Sequence, residues 1–74
     1  MIKSKLYSQK NKKLLEKLRS ARLEAGLTQI EAGKKLKKPQ SYLSKVERGE
    51  RKIEAIELGD FAKVYNKDIN YFIK

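Results

Sequence analysis

Apolar side chains recur along the chain at helical rather than strand spacing. Leu14, Leu15, Leu18, Ala21 and Ala25 keep to i, i+3, i+4, i+7 positions, and Arg22 falls within the same stripe. This is the pattern of one face of an α-helix. Gly26 follows where a helix C′ residue belongs, since glycine takes positive φ without a Cβ penalty. The spacing predicts a first helix over roughly residues 9–25. Thr28 and Glu31 make a T-x-x-E capping box. They start a second helix of about residues 28–36, with Ala32, Gly33 and Leu36 on its inner side. Proline suits a first turn and not a helix interior, so a third helix begins near Pro39 and Gln40. It turns Leu43 and Val46 inward and ends before Gly49. A fourth helix, about residues 54–65, takes Ala55, Ile56, Leu58, Phe61, Ala62 and Val64. Its internal Gly59 costs about 1 kcal/mol relative to alanine and predicts a close helix contact. Asp68 is expected to cap a short fifth helix carrying Ile69, Phe72 and Ile73. Short loops between five short helices predict a compact all-α fold. Residues 1–8 read as a basic segment, loose or extending the first helix, ahead of one domain over residues 9–74.

Composition narrows the chemistry. The 74 residues suffice for one small domain. Lys and Arg number 19 against 9 Asp and Glu, a formal charge of +10. The sequence pI of about 10.0 makes nucleic acid the leading partner class. The charge is uneven: +7 over residues 1–22, +6 over residues 34–52 and −1 over residues 53–74. That polarity suggests one face for a polyanion and another for protein contact, against the plainer reading of a generally basic surface. His and Cys are both absent. No imidazole base, thiol nucleophile, disulfide or Cys/His zinc site can form. An enzyme, a metal and a cofactor are therefore not expected. No apolar run approaches the ~20 residues that span a bilayer, and the N-terminus lacks the apolar core of a secretory signal. The expected location is the cytoplasm, away from membranes.

Helices two and three are joined by three or four residues, which reads as a helix-turn-helix over about residues 28–48. Gly33 supplies the small residue needed where the two helices approach. Leu36, Leu43 and Val46 pin both helices to the core. Gln40, Ser41, Ser44 and Lys45 form the polar outer face of helix three.

These residues carry a resemblance. Arg22-Leu23-Glu24-Ala25-Gly26-Leu27-Thr28-Gln29 resembles the R-x-x-x-G-L-T-Q that opens Cro/repressor-type (XRE-family) helix-turn-helix domains. The stretch from Pro39 to Arg51, PQSYLSKVERGER, is similar to the P-Q-S-x-h-S-K-h-E-x-G-E-R of one branch of that family, where h is apolar. The resemblance spans about residues 14–73 and implies a five-helix, lambda-repressor-like DNA-binding domain. It implies that Gln29 contacts a DNA phosphate. It also implies that Gln40, Ser41, Ser44 and Lys45 read bases or line the groove, and that Arg22 and Glu47 form a buried structural ion pair. Three features depart from the pattern, one of them the long basic N-terminal segment, which is additional to the common domain. Lys37 and Lys38 occupy the turn where glycine and an apolar residue are usual, so Lys37 is expected at an unfavourable positive φ. Ala32 replaces the usual leucine of helix two.

Several side chains keep two readings. Lys38, Arg48, Arg51 and Lys52 are candidates for phosphate contact, as is Lys45, or are ordinary solvated cations. Gln40 can offer a bidentate pair to adenine. Ser41 either reads the groove or satisfies a local backbone group. Tyr42 either points its hydroxyl at a phosphate or packs beside the turn. Ile69, Tyr71, Phe72 and Ile73 either form a homodimer contact or close the domain's own core. The expected function is a sequence-specific regulator of transcription, a dimeric repressor reading an inverted repeat in double-stranded DNA. The alternative is a protein-interaction module, such as an antitoxin binding a toxin.

Overall fold

The computed structural model describes residues 9–73. The basic segment 1–8 lies outside the described residues. Among the described residues five helices follow in order: α1 (Gln9–Glu24), α2 (Gln29–Leu36), α3 (Gln40–Glu47), α4 (Ala55–Val64) and α5 (Asn70–Ile73). No strand occurs among the described residues. Helix α3 is held between α1 and α2, while α4 packs on α2 and α5 returns to α1.

Local signals place the boundaries. Thr28 Oγ1 accepts from the Glu31 amide at 3.1 Å, and Glu31 Oε1 accepts from the Thr28 amide at 2.9 Å. Two amide donors that α2 would otherwise leave open are thereby satisfied. Pro39 stands at the N-cap of α3 with φ −71° and ψ 162°. The Glu57 carboxylate accepts from the Glu54 amide at 3.0 Å at the start of α4. Asp68 Oδ1 accepts from the Asn70 amide at 2.8 Å, two residues on, and so starts α5.

The turn between α2 and α3 takes the expected strained form. Lys37 sits at φ 60° and ψ 42°, a left-handed conformation that costs a residue with a Cβ roughly 1–2 kcal/mol. That conformation lets the Lys38 amide reach the Gly33 carbonyl at 2.8 Å. Gly33 is required for the same turn: a Cβ there would lie 2.6 Å from the Lys38 carbonyl oxygen.

Leu18, Ala21, Leu43, Val46 and Phe61 are essentially fully buried. Around them runs an aromatic column. Tyr42 stacks on Phe61 at 6.1 Å between centroids, and Phe61 meets Tyr65 at 5.7 Å in a tilted pair. The Tyr65 hydroxyl is buried without a hydrogen-bond partner. Burial pushes its pKa up.

Three expectations are corrected. A Cβ at Gly59 would meet nothing within 4 Å, so this glycine marks no helix contact. Ile56 is 82% exposed and Ala55 is also exposed. Both occupy the first turn of α4, before the helix reaches the core. Phe72 is 4% exposed and packs in the core rather than on the surface. Tyr71 is half-buried and meets Phe72 edge-on at 5.0 Å, whereas Ile69 and Ile73 remain exposed.

The two glycines should respond oppositely to alanine. Gly33→Ala is expected to lower stability by more than ~1 kcal/mol, because the new Cβ meets backbone that cannot swing away. Gly59→Ala is expected to raise it by about 1 kcal/mol through helix propensity alone. Urea unfolding followed by circular dichroism measures both. Equal signs would contradict the packing described.

Candidate nucleic-acid interface

Two residues at opposite ends of the helix-turn-helix anchor the site from below. Arg22, near the end of α1, donates Nε to Glu47 Oε2 at 2.7 Å and Nη2 to Glu47 Oε1 at 3.1 Å. Both side chains are less than 10% exposed. The third guanidinium nitrogen, Nη1, donates to the Leu27 carbonyl at 2.9 Å, tying down the loop before α2. Hydrogen bonding to Glu47 raises the Arg22 pKa further, so the guanidinium keeps its charge.

From this pair the network climbs to the surface. Gln29 Nε2 donates to Glu47 Oε1 at 3.1 Å. Gln40 Nε2 in turn donates to Gln29 Oε1 at 3.3 Å. The first residue of α3 is therefore oriented, through Gln29, by a carboxylate at the last residue of the same helix.

Helix α3 divides cleanly. Tyr42, Leu43 and Val46 are buried. Gln40, Ser41 and Lys45 are exposed and Ser44 is half-buried. Residues 40, 41, 44, 45 and 48 share one side at helical spacing. Beside them, Arg19, Gln29, Ser44 and Arg48 line a shallow cleft whose floor is the Arg22–Glu47 pair.

The basic residues are not equivalent. Arg48 forks onto Glu50 at 3.0 and 3.1 Å and also donates to the Ser44 hydroxyl. This ion pair is half-exposed and contributes little to stability, so Arg48 can exchange Glu50 for another anion at small cost. Arg51 pairs with Glu57 at 2.9 Å. Among the described residues, Lys38, Lys45 and Lys52 have no ion-pair partner.

Of the two readings of Tyr42, the structure shows the packed ring and gives its hydroxyl a protein partner. That hydroxyl donates to Glu57 Oε2 at 3.0 Å, while the ring stacks in the core. Burial, followed by the Glu57 bond, pushes its pKa up to about 12.

Sequence reasoning missed Glu57, although E-x-x-E before an apolar run is itself a weak start signal. It also missed the Gln29–Gln40 contact, which no short-range pattern encodes. Arg19 went unnoticed, though it lies one turn before Arg22.

A helix-turn-helix family match (HTH_3) covers residues 18–72, most of the chain. The chain belongs to the helix-turn-helix family. No curated protein matches its sequence. Membership of this XRE-type family brings a lambda-repressor-like fold of the DNA-binding, transcription-regulator type. Domains of this family are typically non-enzymatic. No described helix is long and apolar enough to cross a membrane.

Two outcomes follow from this geometry. Glu47→Ala leaves the Arg22 charge buried and unpaired. It is expected to cost about 3–5 kcal/mol, a large share of the stability of so small a domain. A melting temperature within a degree of the parent's would contradict a buried pair. The Tyr42 hydroxyl gives a pH signature. Its folded pKa of about 12 lies above the ordinary 10.0. Its stabilising contribution is therefore complete below pH 10 and lost as pH rises toward 12. In Tyr42→Phe, thermal stability should fall less steeply over that window than in the parent.

Proposed function

We propose that this protein is a sequence-specific repressor that binds an inverted-repeat operator as a homodimer in the cytoplasm. The observation that carries the reading is the Gln29–Gln40 pair at the exposed start of α3. A glutamine amide held from behind by a second glutamine has its rotamer set before DNA arrives. Less conformational entropy is then lost when it makes a bidentate contact to adenine N6 and N7. Ser41, Ser44 and Lys45 lie on the same side and extend readout along the groove. Gln29, Lys38, Arg48, Arg51 and Lys52 supply phosphate contacts, which release counterions and set register.

One such domain reads a short half-site. A two-fold pair reads two half-sites one helical turn apart, with the affinity a regulator needs. In this reading Ile69 and Ile73 supply the dimer contact, with Tyr71 at its edge and Phe72 holding α5 from beneath. Support comes from the exposure of two large apolar side chains four residues apart, Ile69 in the turn before α5 and Ile73 at its end.

The decisive experiment is selection from random duplexes with purified protein at physiological salt. Enrichment of an inverted repeat is the expected result. Strong binding at low salt with no enriched motif would overturn sequence-specific repression and favour charge-only binding or a protein partner. Within the enriched site, Gln40→Ala is expected to relax discrimination at one base position by about 1–3 kcal/mol while leaving the fold intact. A uniform loss over all sequences would remove Gln40 from base reading.

A further inference from the structure

Helix α3 is flanked in sequence by Lys38 on one side and Arg51 on the other, and both converge on a single aromatic ring. The Lys38 ammonium lies 5.1 Å from the centre of the Tyr42 ring, and the Arg51 guanidinium carbon lies 4.6 Å from it. Two cations on one ring repel each other unless an anion joins them.

One carboxylate organises the group. Glu57 Oε2 accepts from both Arg51 Nη1 at 2.9 Å and the Tyr42 hydroxyl at 3.0 Å. Glu57 Oε1 is anchored on the Glu54 amide at 3.0 Å. Arg51 Nη1 also donates to the Lys52 carbonyl at 3.3 Å, so this one nitrogen makes all the guanidinium's bonds. Among the described residues, Arg51 Nε and Nη2 and the Lys38 ammonium have no protein acceptor. The guanidinium is thus fixed by one nitrogen and open at the others. That arrangement suits an incoming oxyanion, because the donors are aimed before it binds.

We propose that Lys38 and Arg51 form one seat for a single DNA backbone phosphate beside α3, with Glu57 as its positioning residue. The inference rests on the DNA-binding reading above. Its distinguishing feature is a sign. Glu57 is a negative charge close to the polyanion, so simple electrostatics predicts that removing it strengthens binding. Positioning predicts the opposite.

The test measures duplex affinity against salt for the full chain, with the selected operator as probe and melting temperature as a control on folding. Glu57→Gln removes the charge but keeps an oxygen for the Glu54 amide. It is expected to weaken binding roughly three- to tenfold, and Arg51→Ala should then cost less in that background than in the parent. Equal or tighter binding by Glu57→Gln overturns the positioning role. Should that variant fold poorly, the seat is tested with Glu57 intact. Lys38→Ala and Arg51→Ala combined should flatten the salt dependence by about one phosphate. A loss of about two phosphates, with additive affinity losses, would assign the cations to separate phosphates and sink the shared seat while leaving DNA binding in place. Failure of the parent to bind any duplex would remove both readings.

Discussion

The Arg22–Glu47 ion pair is the constraint on which the recognition surface depends. Taking two charges out of water is costly, and an apolar pair of similar volume could hold α1 against α3 as tightly. Such a pair would leave the Leu27 carbonyl and the Gln29 amide without the partners they now have. The ions are therefore better understood as branch points than as glue. Two side chains join α1, the loop before α2, the start of α2 and the end of α3. Each contact is directional, so the relative rotation of α2 and α3 is defined as well as their separation.

Above that branch point the polar network and the strained turn act on the same helix from opposite sides. Gln29 reaches the first residue of α3 from the start of α2. The left-handed Lys37 and the side-chain-free Gly33 bring the end of α2 close enough for the Lys38 amide to bond back. A glycine at residue 37 would relieve the backbone strain, but would remove a cation next to Lys38. Strain at this turn and positive charge beside α3 are linked in the same residue.

How far the sequence could be read depended on the range of the interactions. Helix starts and stops were legible because their causes are local: the Thr28/Glu31 box, Pro39, and the glycines at 26 and 49, which take φ 74° and 77°. The close approach at Gly33 was legible because the turn is short and sterically exacting, whereas the positive φ at Lys37 was expected only from the family resemblance, which has glycine there. Gly59 misled because helix propensity says that a glycine is costly and not why it is there. On α5, periodicity could not separate Phe72, in the core, from Ile73, outside it. Four residues define too little of a helix to set its face. Tyr42 was ambiguous for a different reason. Its ring and hydroxyl have separate partners, and the hydroxyl's partner lies 15 residues ahead on another helix. Of the site residues, Arg22 and Glu47 were paired only through family resemblance, since a contact over 25 residues leaves no periodic trace.

Helix α3 is two turns long, and it divides between the core and the surface. Its inward residues Tyr42, Leu43 and Val46 are large and buried, and substitution there is felt throughout the core. Its outward residues Gln40, Ser41 and Lys45 are exposed. In the proposed function, base-reading chemistry at these positions can therefore vary with little loss of stability. Ser44 is less free, because its hydroxyl accepts from Arg48, which is itself held by Glu50. A new side chain at residue 44 would release Arg48 and redistribute charge at the end of the helix. If α3 reads DNA as proposed, changes in base preference there would carry a change in phosphate affinity with them, whereas changes at Gln40 would act through Gln29 and the ion pair beneath. The outward side chains at the two ends of α3 are thus buttressed differently: Gln40 leans through Gln29 on the buried ion pair, whereas Ser44 and Arg48 lean on Glu50 at the surface.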